Sequence, residues 1–459
     1  MYTIDFKKPI HVHFIGIGGI SMSGLAEILL KENFTITGSD NKASNLTAHL
    51  EALGAKVYIG QRASNVEDTV DLVVYTAAIH PDNPEYACVV EKGIPMLSRA
   101  DLLGQIMKNY DTPIAISGTH GKTTTTSMAS SVLLQGELDP TISVGGILPT
   151  IGGNIRVGKS GNFITEACEY TNSFLSFFPK ISVILNIDAD HLDFFKDLDD
   201  IRNSFRKFAE ILPEDGTLII NAEIPDHEAI SGNLPCQVLT YNVHGDADFT
   251  AENISYNDMG YGTFDCMYKG EFYGHFSLHV PGEHNVSNAL SVIAMAHVMG
   301  IDTETIQKGL LAFTGTDRRF QYKGTVGGVT IIDDYAHHPT EIKATLTAAQ
   351  NYPHKNLWCV FQPHTYTRTH ALLKEFAEAL TGADKVVLAP IYAAREVNTI
   401  GITSDDLRKE IEKLGIEVYY LTSFDEIEDF LLENCIHGDL LITMGAGDVV
   451  NIGEMLLGQ

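Results

Sequence analysis

The segment Pro113–Thr126, reading PIAISGTHGKTTTT, constrains this chain more than any other stretch. An apolar, β-branched run (Ile114–Ser117) stops at Gly118, and Gly121-Lys122-Thr123 then opens a helical stretch to about Leu134. Strand, glycine turn and helix in this order let the backbone curl until successive N–H groups point at phosphate oxygens. The partial positive charge of the helix N-terminus adds to their pull. Lys122 is expected to reach the terminal phosphates and the Thr123 hydroxyl to hold Mg²⁺. A full Walker A pattern needs glycine at position 116, where this chain has isoleucine. The phosphate reading therefore rests on the strand–turn–helix context, and an ordinary helix cap is the alternative.

With 459 residues the chain has room for about three domains, and 44% hydrophobic residues supply several cores. No apolar run approaches the ~20 residues of a membrane span, and the N-terminus lacks the basic-then-apolar order of a signal peptide. Six cysteines are scattered without CxxC spacing, which argues against disulfides and structural zinc. A reduced, cytoplasmic protein without membrane insertion is expected. The formal net charge of −28 argues against nucleic acid as a partner, since phosphate backbones need a basic face. An anionic substrate must then be met locally, by glycine loops, a metal ion and a few arginines.

Three alternating strand–helix blocks follow one another. The first opens with His11–Ile15, turns at Gly16-Ile17-Gly18-Gly19 and continues as a helix to about Glu32. Strands at Phe34–Gly38, Lys56–Ile59 and Asp71–Thr76 complete a Rossmann-like domain ending near Lys108. The second block runs from the phosphate loop to about Thr314, with strands at Asn162–Thr165 and Ile181–Asn186 and hairpins in Asp246–Gly274. The third places strands at Val329–Asp333, Leu357–Phe361, Lys385–Ala389, Glu417–Leu421 and Asp439–Met444, a spacing that predicts parallel βαβ units. The fold class expected is α/β in three domains. A Rossmann-like domain spans 1–108, a central P-loop-type ATPase domain with a mostly parallel sheet spans 109–314, and a C-terminal Rossmann-like α/β domain spans 315–459.

Several residues outside the phosphate loop carry chemistry. Gly16–Ser21 (GIGGIS) approximates GxGxxG, with Ser21 in place of the third glycine, and Asp40 ends the second strand where a ribose-binding acid would stand. Diphosphate binding, an NAD site and a plain tight turn all fit these residues. Glu166 and His191 end the two strands that follow the phosphate loop. One carboxylate plus the Thr123 hydroxyl suits Mg²⁺, whereas His191 by itself reads first as a capping or loop histidine. Arg318-Arg319 offers either a bidentate phosphate clamp or a solvated pair beside a linker. Asp333-Asp334-Tyr335-Ala336-His337-His338-Pro339 ends a strand and opens a helix. Adjacent side chains there point opposite ways, which disfavours a four-ligand metal cage. Gln362–Arg368 (QPHTYTR) ends the next strand and faces the same crevice.

Taken together, HFIGIGGISMSGLAEIL (13–29), GTHGKTTTT (118–126), NIDADH (186–191), GEHNVSNAL (282–290), DRRF (317–320), DDYAHHPTEI (333–342), QPHTYTRT (362–369) and MGAGDV (444–449) closely resemble the Mur ligases. These are ATP-dependent amide-bond-forming enzymes of peptidoglycan synthesis, and the motifs occur in family order along essentially the whole chain. GTHGKT fits both an alanine-adding and a murein tripeptide-recycling branch, while QPHTYTRT and DRRF favour the former. The resemblance implies ATP and Mg²⁺ as cofactors, and UDP-N-acetylmuramate, L-alanine and ATP as small-molecule partners of a monomer or weak homodimer. It places Gly118, Thr119, His120, Gly121, Lys122, Thr123 and Thr124 on ATP, with His284, Asn285 and Asn288 on the adenine side. Arg319 then meets the γ-phosphate and Asp334 lies near the ATP ribose. Thr123, Glu166 and His191 become the Mg²⁺ ligands. Gly18, Gly19, Ile20, Ser21 and Asp40 serve the UDP moiety, and Tyr335, His337 and Arg368 receive L-alanine. Lys122, Arg319 and His337 are the implied catalytic residues, His337 as base.

The chain departs from the family pattern in four places. Ser21 is one, and Gln61 stands where histidine is common. Glu166-Ala-Cys-Glu-Tyr170 replaces the acidic EADES pattern and offers Glu169 as a second metal contact. Thr365 replaces an arginine, leaving Arg368 alone for the alanine carboxylate. An NAD-dependent oxidoreductase using Gly16–Ser21 is the rival from another class, but it gives the phosphate loop no role.

Overall fold

Each glycine turn read from the sequence sits at the carboxyl end of a parallel strand. The computed structural model describes residues 2–459 apart from 77, 193 and 395. The chain forms two compact units, one of Met1–Tyr241 with Ile293–Asp302, the other of Asn242–Val292 with Thr303–Gln459. Among the described residues no helix is long and apolar enough to cross a membrane.

In the first unit, β1 (His11–Ile15), β2 (Thr35–Asp40), β3 (Lys56–Ile59), β4 (Leu72–Tyr75) and β5 (Met96–Ser98) make a parallel sheet of order 3-2-1-4-5. The order reverses at β1, so a crevice opens beyond the carboxyl ends of β1 and β4. Four helices connect the strands and lead out of the last one: α1 (Ile20–Lys31), α2 (Asn45–Ala52), α3 (Pro84–Lys92) and α4 (Arg99–Met107). β1 is apolar enough to be covered on both faces. Val12 and Phe14 pack with Leu25 and Ile28 of α1, and Ile15 packs oppositely with Val73 and Val89.

The second sheet of this unit is built on β6 (Thr112–Ser117), which leads into α5 (Lys122–Gln135). It also holds β7 (Thr141–Leu148), β8 (Gly153–Arg156), β9 (Asn162–Ala167) and β10 (Ile181–Ile184). After α6 (Leu198–Glu210) come β11 (Thr217–Asn221), α7 (His227–Ser231) and β12 (Gln237–Asn242). The strand order is 12-11-10-6-9-7-8, parallel except for the β7–β8 hairpin. That hairpin is not marked in the sequence reading, because glycines interrupt its alternation, the usual mark of a weak or bent strand. Ile155 of β8 lies so close to α1 that a Cβ built on Gly24 would meet its side chain at 2.2 Å.

In the second unit, β13 (Phe249–Tyr256), β14 (Tyr261–Tyr268) and β15 (Glu271–Pro281) are antiparallel, the hairpins expected there. α8 (Glu283–Val298), whose residues from Ile293 onward belong to the first unit, and α9 (Thr303–Ala312) follow. The last sheet contains β16 (Gln321–Val326), β17 (Val329–Asp334), β18 (Leu357–Phe361), β19 (Lys385–Leu388), β20 (Glu417–Tyr420) and β21 (Leu440–Met444), in the order 16-17-21-18-19-20. α10 (Pro339–Gln350) and α11 (Tyr366–Ala371) lead out of β17 and β18. Apolar cores lie on both faces, around Phe361 and Leu388 on one and Trp358 and Val387 on the other. The five strands expected here are parallel to one another, and β16 adds an edge strand that the sequence reading does not mark. It pairs antiparallel to β17 across Gly327-Gly328, both left-handed at φ 60° and 81°, as a two-residue hairpin turn requires.

Candidate active site

β6 and α5 position the phosphate loop. Gly118 (φ 149°) and Gly121 (φ 82°) take conformations that L side chains rarely adopt, and a Cβ on Gly118 would meet Leu185 at 2.9 Å. The segment after β10 braces the turn. Asn186 accepts from the His120 N–H at 2.8 Å and donates to its carbonyl at 3.0 Å. The Thr119 N–H donates to the Asn186 carbonyl at 3.1 Å, and Asp188 lies 3.3 Å from the His120 ring. Lys122 Nζ donates to the Gly118 and Thr119 carbonyls at 2.5 and 3.0 Å and to Glu169 Oε2 at 3.0 Å. Burial opposes its charge, but the neighbouring Glu169, with Cys168 and Glu166, holds the ammonium above the ordinary lysine range. Thr124 is half-buried in the first turn of α5.

Thr123 follows Lys122 and donates to Glu166 Oε2 at 3.0 Å, while the Gly145 N–H of β7 donates to Glu166 Oε1 at 2.5 Å. His191 Nε2 stands 3.7 Å from Glu169 Oε1. That oxygen is buried and has no hydrogen-bond partner among the described residues, and a buried acceptor left unpaired needs an explanation. A hydroxyl bonded to Glu166 and an imidazole beside Glu169 set oxygen and nitrogen donors around the β6–α5 turn, and donors of these kinds suit a hard divalent cation. Of the expected Thr123, Glu166 and His191, the structure pairs Thr123 with Glu166 and sets His191 beside Glu169. Glu169 joins these donors, and the Glu-x-x-Glu spacing from the end of β9 into the loop after it was its signal.

The turn after β1 is held differently from a bare diphosphate cradle. Asp40 Oδ2 accepts from the Gly18 N–H at 2.8 Å, and the Gly19 N–H lies 3.3 Å from the Gly16 carbonyl. Ile20 is exposed at the start of α1. Ser21 Oγ accepts from Arg99 Nη1 at 3.1 Å, and this cation was missed because nothing local marks it. A cavity of about 450 Å³ opens beside the turn, lined by Gly16, Gly19, Asp40, Gln61, His80 and Asn83. Asn83, which caps α3, also donates to Gln61 Oε1 at 2.5 Å.

In the second unit, Asn285 donates to the Pro281 carbonyl at 2.7 Å and accepts from Asn288 at 3.1 Å, fixing the start of α8. His284 beside them is exposed. The two arginines divide their work. Arg318 is tied down by Asp333 at 3.0 Å and the Gly445 carbonyl at 2.9 Å, whereas Arg319 makes a looser 3.9 Å approach to Glu341 and meets the Tyr335 ring face at 5.1 Å. Asp334 is buried, accepting from the Phe320 and Ala336 N–H groups at 2.7 and 2.8 Å. Burial pushes its pKa up to about 6, although the Arg319 guanidinium and those two N–H groups oppose the rise.

The ends of β17 and β18 gather the amino-acid candidates. His337 Nδ1 lies 3.0 Å from the Tyr335 carbonyl and 3.3 Å from Glu341 Oε2. Two acceptors beside Nδ1 favour a proton on that nitrogen. The His337 ring meets those of Tyr335 and His364 edge-on, and Arg368 Nη1 donates to His364 Nδ1 at 3.2 Å. His364 therefore links His337 to Arg368, a role its motif did not single out.

Three family models match consecutive parts of the chain. They are the Mur ligase family catalytic domain over residues 11–111, the Mur ligase middle domain over 116–296 and the Mur ligase glutamate ligase domain over 318–447. The chain is 62% identical over 457 residues to the UDP-N-acetylmuramate–L-alanine ligase of Agathobacter rectalis, covering 100% of each. It is 57% identical over 458 residues to the enzyme of the same name from Lachnospira eligens, again covering 100% of each. Among solved structures it is similar to the UDP-N-acetylmuramate–alanine ligase of Thermotoga maritima, with TM-score 0.81, 29% identity and 98% of each chain covered. Full-length likeness of this degree, on the constellation just described, leads to one conclusion: the chain belongs to the Mur ligase family.

Proposed function

We propose that this chain joins L-alanine to the lactyl carboxylate of UDP-N-acetylmuramate with conversion of ATP to ADP and phosphate. The observation that carries the reading is the constellation of Lys122, Thr123, Glu166, Glu169 and His191 around the β6–α5 turn. A carboxylate does not acylate an amine at neutral pH, because oxide is too poor a leaving group. Phosphoryl transfer from ATP to the lactyl carboxylate gives an acyl phosphate. The alanine amine then attacks the carbonyl, and phosphate departs from the tetrahedral adduct.

The chain's contribution is to gather anions and hold protons. Lys122 and the loop N–H groups of Gly118–Thr124 bind the phosphates, and Arg319, the less engaged arginine of its pair, neutralises the transferring group. Thr123, Glu166 and His191, with Glu169, would hold Mg²⁺, which withdraws charge from the phosphate oxygens when bound. His284, Asn285, Asn288 and Asp334 serve the nucleoside. Arg368 pairs with the alanine carboxylate and Tyr335 lines its site. His337 accepts the ammonium proton at Nε2 before attack. Gly18, Gly19, Ile20, Ser21 and Asp40 shape the UDP site, and the β1–β4 crevice suits a nucleotide. We keep the functional boundaries at 108 and 314, and read the protein as a cytoplasmic monomer or weak homodimer.

Phosphate release from ATP, followed with UDP-N-acetylmuramate and either L-alanine or the tripeptide L-alanyl-γ-D-glutamyl-meso-diaminopimelate, tests the reading. Release with L-alanine is the expected result. Release with the tripeptide alone would move the chain to the recycling activity, and release with neither would overturn the reading altogether.

A further inference from the structure

Beside the constellation lies an aromatic stack that the proposed chemistry does not use. The Tyr170 ring lies on the His191 ring, centroids 4.5 Å apart at 30°. Phe194 meets Tyr170 edge-on at 6.1 Å, and Phe194 in turn meets Phe195 at 4.9 Å. Phe195 belongs to the buried core of the first unit. Tyr170 and Phe194 do not: they are 37% and 44% exposed. Filling the core therefore does not account for their positions.

The backbone on both sides is held in costly conformations. Thr171, Asn172 and His191 are left-handed, with φ of 54°, 58° and 54°. L residues adopt such conformations uncommonly, and the β-branched Thr171 is the least suited of the three. Their surroundings enforce them. The Asn172 N–H donates to the Glu169 carbonyl at 2.8 Å, and its side chain accepts from Ser204 of α6. The His191 N–H donates to Asp190 Oδ1 at 2.7 Å, and its carbonyl accepts from the Phe194 and Phe195 N–H groups at 2.9 Å each. The left-handed pair after Tyr170 and the left-handed His191 together bring two rings face to face at the site's edge.

We propose that Tyr170 is a positioning residue that fixes the plane of the His191 imidazole, so that its ring nitrogen meets the divalent cation bound with ATP. An imidazole on a loop otherwise rotates about its last side-chain torsion, and groups that orient a ligand histidine tune metal affinity by about 10–100-fold. Stacking restricts that rotation while leaving the nitrogens on the ring edge. The proposal rests on His191 being a metal ligand.

The test loads the full-length protein with Mn²⁺ and the β,γ-imido analogue of ATP and records electron spin-echo modulation from a directly bound imidazole nitrogen. The wild type should show it and His191→Ala should abolish it. Failure of either arm overturns the ligand reading of His191 and the proposal with it. Where both hold, Tyr170→Ser and Tyr170→Leu should weaken the modulation with Mn²⁺ still bound, and should raise the Mg²⁺ requirement of phosphate release about tenfold. Tyr170→Phe, which keeps the ring, should retain both properties. Wild-type modulation and Mg²⁺ dependence in a folded Tyr170→Ser or Tyr170→Leu protein would overturn the positioning role while leaving His191 as a ligand.

Discussion

Lys122 and Glu169 form an ion pair, Nζ to Oε2 at 3.0 Å, with side chains only 15% and 1% exposed. Breaking one side of a buried pair leaves an uncompensated charge, at a cost of about 3–5 kcal/mol. Glu169→Gln should therefore lower the unfolding free energy by about that amount. Adding Lys122→Met should recover part of the loss, a coupling that a double-mutant cycle in urea measures directly.

Function should part from binding at the same lysine. Lys122→Ala should reduce phosphate release by roughly 10²–10³ or more, since it removes a preorganised charge from the transferring phosphates. UDP-N-acetylmuramate binding, measured by calorimetry, should stay near wild type because Gly16–Asp40 belong to another sheet. Near-normal turnover in the folded variant would sink the ATP-site assignment.

Arg99 reaches Ser21 Oγ at 3.1 Å and brings a cation to the turn proposed to meet the diphosphate. Arg99→Ala should raise the KM for UDP-N-acetylmuramate about tenfold, corresponding to about 1.4 kcal/mol, with the KM values for ATP and L-alanine little changed. A uniform rise in all three would assign Arg99 to structure instead.

Arg368 donates to His364 beside His337. If it holds the alanine carboxylate, Arg368→Ala should raise the KM for L-alanine by about 30-fold or more, since truncating one partner of such a pair costs roughly 2–5 kcal/mol. Acyl-phosphate formation should survive, because it precedes amine attack. Equal rises for ATP and alanine would reassign the residue to phosphate or to structure.

Asp334 gives stability a specific pH dependence. Its folded pKa of about 6 lies above its ordinary value of 3.8, so the folded state holds the proton more tightly than the unfolded chain. Its contribution is thus fully present below about pH 4 and is lost as pH rises through about 6. The difference amounts to roughly 3 kcal/mol at 1.36 kcal/mol per pKa unit. Urea unfolding should show the wild type losing stability relative to Asp334→Asn between pH 4.5 and 7. Parallel curves would show that the carboxyl titrates normally.

Local signals carried much of this molecule. A strand that stops at glycine and reopens as a helix is encoded within a dozen residues, so the turns at Gly16 and Gly118 could be read directly. So could the buried parallel strands, because apolar runs such as Leu357–Phe361 need cover on both faces. Other features arise from residues far apart in the chain. Gly327-Gly328 turns β16 back as an antiparallel edge, although its half-exposed residues carry no clear period. Arg99 finds Ser21 78 positions away. Glu169 became the partner of Lys122 only when β6 and β9 paired. Tyr170 looked like a substitution in a familiar pattern until the left-handed turns laid its ring on His191. Backbone signals are local because φ/ψ preference and period act over a few residues. Side-chain partnerships depend on strand order and register, which packing alone decides.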